Sequence, residues 1–209
     1  MVQRRYIVVG VTELVELVKE QDMFRGRRED RRDERQQEHA TFGRGGNAIR
    51  YQMRQRLVSI GDDYNIDNDR GEHAFKVDGK ALRVRNTLLF EDPQGHELCK
   101  IQERMLRVKD TMAIEGPNGE TLATVKKALI TPVRERWTVK VGSGPDLEIQ
   151  GNIVDHEYEM EAGGHKVAEV SKKWFRVADT YGVEIALGQN DVVILATTVA
   201  VDMMAHPDR

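Results

Sequence analysis

The chain has 209 residues, with 32 Lys and Arg against 35 Asp and Glu for a formal charge of -3. That length allows one sizeable core or two small ones without covalent staples, and a charged content of 32% suits a soluble globular protein with a polar extension. The near balance of charge excludes a global pull toward nucleic acid or acidic lipid, so no nucleic-acid partner is expected and any basic site must be local. The single cysteine, Cys99, excludes an intrachain disulfide framework and thiolate-rich zinc sites. It points to the cytoplasm, with at most a peripheral place at a membrane.

The chain opens MVQRRYIVVGVTELVELVKEQD, where basic residues precede an apolar Tyr6 to Val11 patch. Acids interrupt that patch and no small-residue cleavage site follows, so no export signal is expected. Residues Val11 to His39 read as helical, with Leu14, Val15, Leu17 and Val18 as a short apolar stripe. The run FRGRREDRRDERQQEH then alternates arginines with acids at spacings of three and four, which pair on a helix surface. Such near-cancellation suits a solvated helix, with a partner-binding helix as the alternative. The stretch GRGGNA, Gly43 to Ala48, matches the spacing of a dinucleotide fingerprint. A charged run precedes it instead of a buried strand, and no helix cap follows it. It reads as a linker that closes an N-terminal extension over residues 1–48 ahead of a domain over 49–209.

In that domain Gly71, Gly95 and Gly119 recur every 24 residues in one local frame. An apolar residue and an acid lie upstream each time: Ile66-Asp67, Phe90-Glu91 and Ile114-Glu115. Two apolar positions follow at offsets of four and six: Phe75 and Val77, Cys99 and Ile101, Ala123 and Val125. Gly164 repeats the downstream half with Ala168 and Val170, and carries Met160-Glu161 upstream. Gly144, with Val139 before it, is a degenerate copy. The glycines sit in NDRG, DPQG, PNG and GG turns, so each unit predicts a β-hairpin. The even offsets put the apolar pair on one strand face and turn Lys76, Lys100, Thr124 and Glu169 toward water. Repetition at this period implies supersecondary units burying a shared core, as a stack or a closed barrel does.

The last segment, NDVVILATTVAVDMMAH from Asn190 to His206, is the one sustained apolar run of the sequence. Its uninterrupted part is far short of the roughly twenty apolar residues that span a bilayer as a helix, so no transmembrane span is expected. A closed sheet of many strands lined by residues as small as Cys99 and alanine needs something to fill it. Asn190 or Asp191 as a cap, with Ala196 and Ala200 one turn apart, favours a buried helix. The β-branched Val192, Val193, Ile194, Val199 and Val201 keep a strand open. Asp202 is expected near the exit, where water or a basic partner reaches it.

The stretches YQMRQRLVSIGDDYNIDNDRGEHAFKVDGKAL, TLATVKKAL, GNIVDHEYEM, VAEVSKKWF and ADTYGVEIA, in that order before the apolar tail, resemble the LURP-one-related proteins. These belong with the tubby C-terminal domain and the phospholipid scramblases. The resemblance covers roughly Ile49 to His206 and implies a closed antiparallel barrel of about twelve strands around a central hydrophobic C-terminal helix. Tubby domains bind phosphoinositides through a basic surface, and scramblases are associated with lipid movement and calcium. The resemblance supplies no catalytic residue and no cofactor.

Candidate chemistry is sparse. The six histidines are scattered with no metal-ligand spacing, and in DHEY, Asp155 to Tyr158, strand neighbours point to opposite faces. These read as exposed strand residues. Cys99 reads as a small buried hydrophobe. By the resemblance, DTYGVEI lies where scramblases carry an acidic segment proposed to bind calcium. Asp179, Glu184 and Asp191 are weak candidates there, too few for the oxygen ligands of a hard cation. Lys126-Lys127, Arg134 with Arg136, and Lys172-Lys173 lie just beyond inward apolar positions, where adjacent units bring them toward one end of a barrel. Phosphate needs such donors. The expectation is a non-enzymatic module binding an anionic phospholipid headgroup or another phosphate-bearing ligand. A protein-interaction scaffold using the N-terminal helix is the alternative.

Overall fold

In a computed structural model of the protein, the described residues are 46–56, 63–82, 87–103, 111–127, 136–174 and 180–206. They form strands β1 (Ala48–Arg56), β2 (Asp63–Asn68), β3 (His73–Leu82), β4 (Thr87–Glu91), β5 (Glu97–Glu103) and β6 (Thr111–Glu115). These are followed by β7 (Thr121–Lys127), β8 (Arg136–Val141), β9 (Leu147–Asn152), β10 (Glu157–Ala162), β11 (His165–Ser171) and β12 (Thr180–Ala186), then helix α1 (Asp191–Ala205). Each strand pairs antiparallel with its sequence neighbours, and β1 pairs with both β2 and β12. The sheet closes on itself and leaves no edge for another strand to join.

The 24-residue repeat is a repeated turn with a bulge. Gly71, Gly95 and Gly119 have φ of 75°, 84° and 82°, a region open to glycine at little cost. Their N–H groups donate to the carbonyls of Asn68, Asp92 and Gly116 at 3.0, 3.0 and 2.9 Å. The pairing register then slips by one residue at Ile66/Asp67, Phe90/Glu91 and Ile114/Glu115. Hairpin β10–β11 slips in the same way at Met160/Glu161. The apolar-acidic pair upstream of each glycine thus marks a β-bulge, which leaves Ala74, Leu98, Leu122 and Val167 with no residue opposite them. Beyond the bulge alternation resumes: Val77, Cys99, Ile101, Ala123, Val125, Ala168 and Val170 are buried, with Phe75 partly so. On the other face Lys76, Lys100 and Glu169 keep contact with solvent. Thr124 departs from the expectation: it lies between Ala113 and the long Lys140 of neighbouring strands and is buried.

The apolar C-terminal run is a helix inside the barrel. Every residue of α1 from Val193 to Asp202 is buried, whichever way it points. The Asn190 side chain accepts the Val193 N–H at 3.1 Å, and Asp191 occupies the first turn. At 1.5 Å per residue the helix is about 22 Å long, comparable to the height of a strand barrel and short of a bilayer core. No helix among the described residues is long and apolar enough to cross a membrane. The packing partners of α1 include β5 and β7, whose inward residues include the small Cys99 and Ala123. Burial of its valines and isoleucine, roughly 1.5–3 kcal/mol for each such side chain, outweighs their weak preference for strands.

Candidate functional site

Antiparallel alternation gives the barrel two rims. The glycine turns lie on one, the turn rim. On the other the odd-numbered strands end and the even-numbered ones begin. Because β12 ends on the turn rim, α1 enters there and points its C-terminus at the opposite rim, called here the exit rim. The connection Ile153 to His156, between β9 and β10, lies on the exit rim as well.

At that end of the helix sits the most concentrated polar chemistry of the described residues. Asp202 is 3% exposed. Its Oδ1 lies 2.7 Å from His156 Nε2 and 3.0 Å from His206 Nδ1. Its Oδ2 accepts the Tyr64 hydroxyl at 2.7 Å. Burial alone pushes the carboxyl up, but the hydrogen bond and charge of His156, then Tyr64 and His206, outweigh it and hold the group below the usual carboxylate range. The two imidazoles stack, with centroids 5.5 Å apart, and the His156 ring also lies 4.3 Å from the Tyr181 ring.

The backbone is bent to make this cluster. His156 has φ 54°, and no other non-glycine residue among those described has a positive φ. Such a conformation costs on the order of 1–3 kcal/mol and persists where its surroundings enforce it. Here the turn bond from His156 N–H to Ile153 O, 3.0 Å, swings the imidazole inward. Gly151 below the turn is equally constrained: at φ 138°, a Cβ there would lie 2.5 Å from Glu157 O. The exposed-strand reading of DHEY is therefore corrected for His156, which lies in a turn and is buried. The histidines are also less scattered than their spacing suggests, since His156 and His206 meet across the chain. Asp202 has its basic partners, whereas contact with water is closed off by Tyr64 and the two rings.

The basic candidates reach the same rim in two groups. Lys126 and Arg136 are exposed and extend from the outer face of neighbouring strands, where Lys126 stands opposite Thr138. Lys127 stands opposite Trp137, its ammonium 5.4 Å from the ring centroid. Lys172 and Lys173 follow β11, with β8, β9 and β10 between them and β7. Lys173 Nζ bonds Glu157 at 2.9 Å, which raises the pKa of its ammonium, and the backbone N–H groups of Lys172 and Lys173 also donate to Glu157. Arg134 lies outside the described residues.

Of the weak calcium candidates, Glu184 and Asp191 each have another partner. Glu184 is buried against the Arg50 guanidinium, whose Nε donates to it at 2.7 Å. Asp191 accepts the Tyr51 hydroxyl at 2.6 Å, and burial, followed by that bond, raises the phenol pKa. Asp179 lies outside the described residues, as do residues 1–45 with the expected N-terminal helix. Cys99 is buried as expected, and burial pushes its thiol pKa up to about 12.

With this geometry in view, the comparison with known proteins is direct. The family model described as LURP-one-related matches residues 49–202. The chain belongs to the LURP-one-related family. Among curated proteins of this kind is the "Uncharacterized protein YxjI" of Bacillus subtilis (strain 168). It is 26% identical over 156 residues, which cover 75% of this chain and 93% of that protein. Among solved structures, the X-ray structure of the Arabidopsis thaliana protein AT5G01750 matches at 18% identity with a TM-score of 0.54. The match covers 74% of this chain and 89% of that one, and at this identity it speaks for the fold alone. The barrel fold is thus shared with that protein. The match ends at Asp202, so His206 lies beyond it.

Proposed function

We propose that this LURP-one-related barrel is a cytoplasmic, non-enzymatic binding module whose ligand carries phosphate, either an anionic lipid headgroup or a small phosphorylated metabolite. Lys126, Lys127 and Arg136 are its contact residues on the exit rim. The observation that carries this reading is the pair Lys126 and Arg136. Two exposed cations project from adjacent strands of one rigid sheet, and neither side chain has an ion pair among the described residues. Arg offers a planar fork to phosphate oxygens, and Lys adds a movable point charge. Glu148, opposite Thr138 on the same outer face, keeps the local field modest, so binding is weak and salt-sensitive.

Flotation with neutral and with anionic vesicles at moderate salt tests it. The reading predicts greater recovery with anionic vesicles and a loss of that difference in a Lys126→Ala, Arg136→Ala double variant. Inorganic phosphate as competitor distinguishes the two ligand sources, since a metabolite site yields to millimolar phosphate without a preference for vesicles. Equal recovery on both vesicle types, together with no measurable phosphate binding, overturns the reading.

A further inference from the structure

We propose that His156 Nε2, Asp202 Oδ1 and His206 Nδ1 form a mononuclear site for a zinc-type divalent ion, which fastens the C-terminal end of α1 to the barrel. These atoms, one from each side chain, all lie within 4.8 Å of one another. Two imidazole nitrogens and one carboxylate oxygen match zinc in donor type, and a water as fourth ligand reaches the ion past the partly exposed His206 ring once that ring moves outward. A hard cation such as calcium, which takes six to eight oxygens, does not fit this set.

Several independent features point the same way. The three ligands come from a strained turn and a helix end, and the strain at His156 is what aims its ring at Asp202. His206 caps the C-terminus of α1 four residues after Asp202, and its ring folds back to the same side of the helix end. The second carboxylate oxygen is already held by Tyr64, the kind of outer contact that orients a metal-ligating carboxylate. A buried negative charge at a helix C-terminus is at the wrong end of the backbone dipole, and α1 has no basic residue in its last turn. A divalent ion there offsets both the carboxylate and the dipole.

Two further details set the strength of the site. The present separations of 2.7 and 3.0 Å are shorter than the roughly 3.4 Å between ligands on a tetrahedral zinc, so the rings move outward by a few tenths of an ångström on loading. A liganding nitrogen carries no proton, so on loading His156 Nε2 gives up its bond to Asp202 Oδ1 and His206 Nδ1 its bond to the Asp202 carbonyl. Among the described residues, His156 Nδ1 and His206 Nε2 find no hydrogen-bond partner. The missing outer contacts lower affinity by about 10–100-fold relative to a fully supported site. Because neutral imidazole is the ligand, affinity falls as the medium is acidified.

The test is titration of the chelator-treated full chain with cobalt(II) and with zinc(II). The proposal predicts one equivalent of cobalt bound with the visible absorption of a tetrahedral ion, displacement by zinc, and a higher melting temperature with zinc. His206→Ala, at the end of the helix, leaves the fold intact by circular dichroism while abolishing the absorption and the zinc-dependent melting shift. Absence of stoichiometric binding by the wild type overturns the proposal. So does a His206→Ala protein that keeps both signals.

Discussion

The two ends of α1 each carry an aspartate bonded by a tyrosine of the β1–β2 hairpin, and they are held very differently. At the N-terminal end Asp191 is half-buried and accepts Tyr51 at 2.6 Å. It lies where the helix dipole favours negative charge, so one donor and partial solvent suffice. At the C-terminal end the dipole disfavours charge and Asp202 is 3% exposed. It is held by Tyr64, His156 and His206, one of them at a strained backbone position. A charge in an unfavourable place requires more donors and more distorted backbone. The second end is therefore where change does most damage.

The largest effect comes from the middle of the helix, which separates the two ends. Ala196 is fully buried, and Ala196→Arg puts an unpaired charge into the barrel centre. The expected outcome is an unfolded or insoluble chain, and a soluble variant with a cooperative melt contradicts the buried-helix account. Next is Asp202→Ala, which removes the buried acceptor of the His156 ring and of the Tyr64 hydroxyl bond. A loss of about 3–5 kcal/mol is expected in urea unfolding.

Acid titration sharpens the contrast between the ends in chelator-treated protein. The folded Asp202 carboxyl titrates below its unfolded value of about 3.9, so it stabilises the fold above that pH. The contribution is lost as pH falls through the folded value. Stability measured from pH 6 to pH 2 falls for this reason, and Asp202→Asn removes that part of the slope. Smaller still is Asn190→Ala at the favourable end, where loss of the cap to Val193 costs about 1 kcal/mol by thermal melting. Cys99, whose thiol pKa is near 12 and which is buried between the ends, stays unreactive to thiol reagents at pH 8 until the barrel unfolds.

Most of the architecture was legible in the sequence. The glycine turns and the apolar pairs at even offsets are local signals with a fixed meaning, while closure and the count of about twelve strands came with the family resemblance. The meaning of Ile66-Asp67 and its copies was not legible, because a bulge is defined by the residue opposite and not by the strand itself. The buried face of Thr124 was hidden for the same reason. The Asp202 cluster was legible in half. A lone acid in an apolar helix with a histidine four residues on is a visible signal. His156 was missed because strand alternation assigned it to the surface, and the left-handed turn that brings it inward has no signature in DHEY. Lys172 and Lys173 show the reverse, since their repeat position put them at one end of a barrel while Glu157, from another strand, decides their bonding.

The contrast between the ends is tested most directly by deleting one hydroxyl from each, comparing Tyr51→Phe with Tyr64→Phe in urea unfolding. The buried, threefold-held carboxylate predicts a loss of about 2–3 kcal/mol for Tyr64→Phe against about 1 kcal/mol for Tyr51→Phe, with unchanged denaturant slopes. Equal losses, or a larger one for Tyr51→Phe, contradict the claim that the helix is anchored chiefly at Asp202.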